Sequence, residues 1–311
     1  MAEDWSRRQR LWIALATVLV PGTACIDESP RTTSAAIVER DLARGTILHQ
    51  ALRTDPSQEY LLYVPTRAAR GASILVTVHG VSRNVEEHAA LFAPYAEEHG
   101  VVLVAPCFTS ERNAGYQRLS EEGTAPRADL ALDAIVDEVA ASTGADGSQF
   151  RLFGFSGGAQ FAHRYALAHP ERVISAAIGA AGWYTFPDDR TPYPYGLGDS
   201  PERSKLRFDP DRFLRVPIAV FVGDEDTTGG ENFRHDQLLD AQQGTTRRER
   251  ARRWVEAMNQ AARQRGLAPP ASYHEVAGIE HSFHQFMTKG HLGERVFAAL
   301  FGPSSPAGAK P

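Results

Sequence analysis

Cysteine is nearly absent. The 311 residues hold two, Cys25 and Cys107, which excludes a disulfide-stapled scaffold and a zinc site built from cysteines. An excess of basic charge is missing as well. Lys and Arg number 33 against 38 Asp and Glu, for a formal net charge of −5, so the positive field expected of a nucleic-acid binder is not there. The apolar run Leu11–Val20 is shorter than the roughly 20 residues a membrane-crossing helix needs. No internal repeat and no H-E-x-x-H metal motif is visible. What is present is globular composition, 42% apolar and 23% charged, on a chain long enough for one large α/β domain.

The amino terminus reads as an export signal over residues 1–25. Arg7, Arg8 and Arg10 precede the apolar run, and the small-residue stretch Pro21-Gly-Thr-Ala24 follows it, which is the order of a basic region, a short apolar region and a cleavage region. The alternative is a loosely packed amino-terminal helix. Cys25 follows Gly22-Thr-Ala24 and resembles a lipobox cysteine, although Gly22 stands where a large aliphatic residue is usual. Lipidation of Cys25 and simple cleavage and release both stay open. The expected location is extracytoplasmic: secreted, periplasmic or lipid-anchored at the cell surface. A lipid on Cys25 is the one tie to a membrane that the sequence suggests. With Cys107 left alone or beside a capped Cys25, no intrachain disulfide is expected.

Residues 26–44 lack a period and read as a tether, and the Pro/Ser/Ala-rich residues 303–311 as a disordered tail. Between them, strand-like and helix-like blocks alternate. Tyr60–Val64, Ser73–His79, Val101–Ala105, Gln149–Phe153, Val173–Ile178, Pro217–Val222 and Ser272–Val276 are short runs rich in β-branched, aromatic and apolar residues. Such runs suit strands covered on both faces. Helical spacing appears over 127–141, from about 158 to Pro170, and around Trp254–Ala261 with a stop near Gly266. The alternation implies an α/β fold: a doubly wound, mostly parallel sheet with helices on both faces. Two stretches, 186–216 and 227–248, break the rhythm and read as long loops, either binding loops or surface excursions.

Gly154-Phe-Ser-Gly-Gly158 lies between a strand and a helix. A serine hydroxyl is a weak nucleophile, so it needs a tight, exposed turn and a neighbouring base. Glycines on either side allow the crowded turn, and the following helix aims N–H groups at a developing oxyanion. By itself the pattern is weak, but its strand-to-helix setting is what the chemistry requires. Downstream, Gly223-Asp-Glu-Asp226 and Gly278-Ile-Glu-His281 each follow a strand. All three segments therefore fall at carboxyl ends of strands, where open parallel sheets collect their active sites. His281 would act as base toward Ser156, with an acid holding its tautomer.

The order serine, acid, histidine, together with Tyr60-Leu-Leu-Tyr-Val-Pro65, Val78-His-Gly80 and the three motifs above, resembles an α/β-hydrolase. More narrowly, the chain is similar to secreted esterases related to polyhydroxyalkanoate depolymerases and feruloyl esterases. The likeness spans roughly residues 58–302, and 45–302 is read as the α/β-hydrolase catalytic domain. It implies the catalytic set Ser156, Asp226 and His281, with oxyanion N–H groups from Val81 and Gly157. Asp226 is favoured over Asp224 because acids of the family sit three residues after the strand-end glycine. His281 is favoured over His284, which enters the last helical segment. His79 reads as a structural residue of the oxyanion loop. There are two departures from the family pattern. Val81-Ser-Arg-Asn84 replaces the cysteine-containing turn of the depolymerase branch, and Phe155 replaces a small or polar residue before the nucleophile. Acyl and alcohol specificity do not carry over with the fold.

The implied activity is that of an exported serine hydrolase of carboxylic esters that works through an acyl-enzyme. The alternatives are a peptidase or other acyl hydrolase on the same triad, and a non-catalytic binding module of this fold. A small-molecule or polymeric ester substrate is expected, with no cofactor, no metal and no nucleic acid; oligomeric state is left open. Arg247, Arg248, Arg250, Arg252 and Arg253 read as a solvated helix face, or else a patch for an anionic substrate. Trp183, Tyr184 and Phe186 read as packing, with a binding platform as the alternative. Tyr193 and Tyr195 are candidates for substrate contact.

Overall fold

The computed structural model describes residues 42–302 apart from 122, 124 and 228–232. The export signal, Cys25, nearly all of the tether and the tail 303–311 lie outside the described residues. In chain order the elements are β1 (Ile47–Leu52), β2 (Asp55–Tyr63), β3 (Ser73–Val78), α1 (Val85–His99), β4 (Val102–Pro106), α2 (Ala128–Thr143), β5 (Asp146–Phe155), α3 (Gly157–Ala168), β6 (Val173–Gly179), the single turn α4 (Pro210–Phe213), β7 (Ile218–Gly223), α5 (Gln237–Gln243), α6 (Arg247–Gln264), β8 (Ala271–Val276), α7 (Phe283–Thr288) and α8 (Leu292–Phe301).

The strands form one eight-stranded sheet in the order β1-β2-β4-β3-β5-β6-β7-β8. β2 pairs antiparallel with both β1 and β4, and every later pairing is parallel. A parallel pair needs a crossover connection, and the helices supply it. Alternation along each strand decides which helices cover which face. Ile74, Val76, Phe150, Leu152, Ile218 and Val220 pack with residues of α2, α3 and α6. Their neighbours Leu75, Phe153, Ala219 and Phe221 pack with α1, α7 and α8 on the opposite face. Each fully buried Val, Leu, Ile or Phe of this kind contributes roughly 1.5–3 kcal/mol, so the register of the central strands is fixed from both sides. The expected doubly wound, mostly parallel sheet is what the chain forms.

Three features differ from the sequence reading. β1 is an additional edge strand whose pattern is half exposed. α1 is a 15-residue helix that carries Pro94 and ends at Gly100 in the left-handed conformation. The stretch 227–248 is not a loop throughout, because α5 and the start of α6 lie within it. Asp236 and Thr246 cap these helices, accepting from Leu239 N–H and Glu249 N–H.

Candidate active site

Registers at the carboxyl edge of the sheet set the site. Val78 stands opposite Gly154, Phe155 opposite Gly179, and Gly223 opposite Val276. The chain leaving β3, β5, β7 and β8 therefore emerges along one rim. Ser156 sits between β5 and α3 with φ 54° and ψ −111°, a conformation that a non-glycine residue holds only when its surroundings impose it. Its N–H donates to Gly179 O at 2.8 Å and its carbonyl accepts from Gln160 N–H at 3.1 Å. Crowding explains the glycines that flank this turn. A Cβ on Gly158 would lie 2.0 Å from Val78 O, and one on Gly154 would lie 2.1 Å from Gly158 O.

Asp226 and His281 arrive on two turns that are knitted together. Asp224 N–H donates to Val276 O at 3.1 Å and Glu225 N–H to Ile279 O at 3.2 Å. Asp224 Oδ1 accepts from Gly278 N–H at 2.7 Å. The structure thus places Asp224 against the turn that carries the histidine, not against the imidazole. Asp226 Oδ2 lies 2.9 Å from His281 Nδ1, and His281 Nε2 lies 2.9 Å from Ser156 Oγ. In this geometry Nδ1–H donates to the carboxylate and Nε2 accepts from the serine hydroxyl. Asp226 is buried and His281 is about one quarter exposed (1% and 26% by side chain). Phe155 stacks on the imidazole at 5.2 Å and 21° and meets Phe286 edge-on at 5.4 Å, so the ring is braced from the core side. His284 lies apart from this line and pairs with Glu87 at 3.0 Å.

Val81 and Gly157 come together on the other side of Ser156. A Cβ on Gly157 would lie 3.0 Å from Val81 Cγ1, and one on Gly80 would lie 3.3 Å from Ser156 Cβ. Gly157 is the first residue of α3, so its N–H has no acceptor within the helix. The loop after β3 is held from below. Tyr116 Oη donates to His79 O at 3.0 Å, Phe108 N–H donates to His79 Nε2 at 3.1 Å, and His79 Nδ1 lies 2.8 Å from Gly80 O. Burial pushes the His79 imidazole down to about 4, so it remains neutral as this loop support.

Val81, Ser156, Asp226 and His281 line a cleft of about 750 Å³ that also takes in Gln160, Trp183 and Arg247. Trp183 is almost buried, with the Arg164 guanidinium 4.1 Å from its ring centroid and Tyr195 edge-on at 5.1 Å. Tyr193 is buried and donates to Arg118 O, and Tyr195 bonds Asp236 at 2.8 Å. Neither of these tyrosines is among the cleft-lining residues. No group of three or more metal-ligating side chains occurs among the described residues.

One reading of the sequence is overturned. Arg247 and Arg250 do not belong to a solvated helix face. Both are buried, and Arg247 Nη1 lies 2.8 Å from the second oxygen of Asp226. Arg250 donates to Gly182 O at 2.7 Å and Gly244 O at 2.9 Å, and pairs with Asp240 at 2.6 Å. Arg252 and Arg253 do face solvent, and Arg248 meets Glu275 at the surface. One signal for Arg247 was available. It is a cation in the first turn of α6, where the helix dipole disfavours positive charge.

No protein-family model matches the chain, and no curated protein matches it with significance. Solved structures do match. The chain is similar to poly(aspartic acid) hydrolase-1 from Sphingomonas sp. KT-1, with TM-score 0.70 and 23% identity over 82% of this chain and 100% of that one. It is also similar to the LpqC poly(3-hydroxybutyrate) depolymerase from Bordetella parapertussis, with TM-score 0.67 and 25% identity over 85% and 92% of the two chains. A more distant neighbour is an S-formylglutathione hydrolase from Agrobacterium tumefaciens, with TM-score 0.53 and 18% identity over 82% and 94%. The resemblance expected from the motifs is borne out at the level of fold, and these neighbours are hydrolases.

Proposed function

We propose that this chain, an α/β-hydrolase by fold, is an exported serine hydrolase that cleaves carboxylic esters through an acyl-enzyme on Ser156. The observation that carries this reading is the unbroken hydrogen-bond line from Ser156 Oγ through His281 to Asp226 Oδ2, on the rim of a cleft large enough for a substrate. Ser156 Oγ attacks the ester carbonyl carbon as its proton passes to His281 Nε2. The carbonyl oxygen takes the negative charge and is met by the N–H groups of Val81 and Gly157. Collapse breaks the bond to the alcohol oxygen, which leaves with the proton from His281. A water then gives a proton to His281 and attacks the acyl carbon, and Ser156 recovers its proton as the acid departs. Throughout, the buried Asp226 carboxylate fixes which ring nitrogen is free and offsets the imidazolium charge.

Ester hydrolysis is supported by the hydrolase neighbours as a group. The depolymerase neighbour, at 25% identity, makes oligomers of 3-hydroxybutyrate a natural member of the substrate panel, beside simple esters of graded acyl length and feruloyl esters. Ser156→Ala is expected to lower turnover by about 10⁶-fold, the scale on which loss of the nucleophile acts in such triads, and to abolish labelling by a fluorophosphonate. Retained turnover in that variant would falsify the mechanism. Aminoacyl amides run beside the esters test the peptidase alternative, which gains if amides are cleaved faster. Export is tested by sequencing the amino terminus of protein recovered outside the cytoplasm. A new terminus near residue 26 is expected for cleavage and release, and a lipid-modified Cys25 for anchoring.

A further inference from the structure

We infer that Arg247 is a positioning residue of the catalytic set, acting on the serine through Asp226 and His281; this rests on the triad reading above. A carboxylate has two oxygens, and both of Asp226's are committed. Oδ2 faces His281 Nδ1 at 2.9 Å and Oδ1 faces Arg247 Nη1 at 2.8 Å. The pair is almost sealed from water, with side-chain exposures of 6% for Arg247 and 1% for Asp226. At such a site a carboxylate left without a counter-charge is costly, and the guanidinium both supplies the charge and fixes the rotation of the carboxylate plane.

The setting of Arg247 points the same way. It occupies the first turn of α6, where a cation opposes the helix dipole, so the helix itself gains nothing from it. Its guanidinium lies 4.6 Å from the ring centroid of Phe233, and the same ring carries Arg250 at 4.0 Å. Arg250 in turn bonds Gly182 O beside Trp183. The amino end of α6 therefore reaches the acid of the triad, and the cleft itself, through Arg247, and the cleft wall beside Trp183 through Arg250. Arg247 also borders the cleft, but its Nη1 is committed to the Asp226 oxygen that does not face the histidine, so its effect on chemistry passes through Asp226, and a direct grip on substrate would show instead as a rise in KM.

That route is tested by a double-mutant cycle on kcat for an ester substrate, using Arg247→Met, Asp226→Asn and the double variant, with thermal unfolding of each as a check on folding. Arg247→Met is expected to lower kcat about tenfold or more with KM little changed, within the range of coupling between charged groups in contact. In the Asp226→Asn background the same substitution is expected to cost almost nothing further. Guanidinium ion at tens of millimolar is expected to restore part of the activity of Arg247→Ala, whereas ammonium does not. Equal losses from Arg247→Met in both backgrounds overturn the inference, as does a rise in KM at unchanged kcat. If Arg247→Met does not fold, the cycle is run with Arg247→Lys, which keeps the charge without the fork. A smaller loss that again vanishes in the Asp226→Asn background supports the inference, and a loss of the same size in both overturns it. The Ser156→Ala variant separates the two levels. Activity surviving in it sinks the triad reading itself, whereas an inactive Ser156→Ala with multiplicative Arg247 and Asp226 effects sinks only the role of Arg247.

Discussion

Two carboxylates three chain positions or fewer from the same strand end have different tasks, and the difference lies in their partners. Asp226 is buried between an imidazole and a guanidinium, whereas Asp224 accepts a backbone N–H from Gly278. Asp226→Asn is expected to lower kcat by about 10⁴-fold, the scale seen when a triad acid loses its charge and reverses the histidine tautomer. Asp224→Asn keeps an acceptor for Gly278 and is expected to leave kcat within about tenfold, a loosened turn being a second-order effect. Steady-state kinetics on purified variants settles the ranking, and a larger loss at Asp224 would exchange the two roles. Phe155 offers a second comparison. Its ring braces His281, and aromatic pairs are worth about 0.5–1.5 kcal/mol beyond their burial. Phe155→Leu, which keeps most of the volume, is expected to lower kcat by about 2- to 10-fold on that scale and to slow fluorophosphonate labelling in step. Unchanged labelling would mean that the imidazole is held by its hydrogen bonds alone.

The turn between β5 and α3 carries the proposed nucleophile Ser156, and it has no room to change. Gly158→Ala would drive a methyl group into the carbonyl of Val78 and Gly154→Ala into that of Gly158. Since backbone atoms, not flexible side-chain ends, are in the way, each substitution is expected to cost at least about 1–3 kcal/mol. A fall in melting temperature together with loss of activity is the expected outcome, and a variant that melts normally yet stays active contradicts it. This turn was legible in the sequence because its requirements are local: a strand, two glycines around a serine, then a helix. The buried strands were legible for a related reason, since Leu75, Val76 and their like are apolar on both faces. β1 was not, because an edge strand with one solvated face shows no continuous apolar run. α1 was obscured by Pro94 within it. The arginines of α6 were misread because charged side chains are seldom buried without a partner, and the partner of Arg247 is Asp226, 21 residues earlier on the turn that follows β7. Only the assembled sheet brings the two together.

At the scale of the whole molecule, the parallel pairings of β3, β5, β6, β7 and β8 gather side chains from residues 81 to 281 at one edge, and the same packing seals three imidazoles inside. His79, His88 and His163 are essentially unexposed. Burial pushes His79 down to about 4 and holds His88 and His163 well below their ordinary value. In the folded state all three are neutral, whereas in the unfolded chain they take up protons near 6.5. Stability is therefore greatest above that value and falls as the pH drops, because the unfolded chain then binds more protons. Each buried histidine contributes a loss of about 1.4 kcal/mol per pH unit once the pH is below about 6.5. For His79 the loss levels off near a pH of about 4, while for the other two it continues lower. His169 works in the opposite direction. Burial lowers its affinity for a proton, but the Asp129 hydrogen bond and the nearby carboxylates outweigh this and raise it, so its contribution is present below about 6.5 and disappears as pH rises through the raised value. His274, pushed down by burial and by Arg295, adds to the loss, so four histidines against one leave a net loss on acidification. The melting temperature is accordingly expected to fall steadily between about pH 6.5 and pH 5, above the range in which ordinary carboxylates titrate. A melting temperature that is flat across that interval would show that these imidazoles are protonated in the folded protein or reached by water. Substituting His163 by Gln, which cannot titrate, is expected to make the slope shallower even where the substitution lowers stability at neutral pH, because the slope counts protons and not contacts.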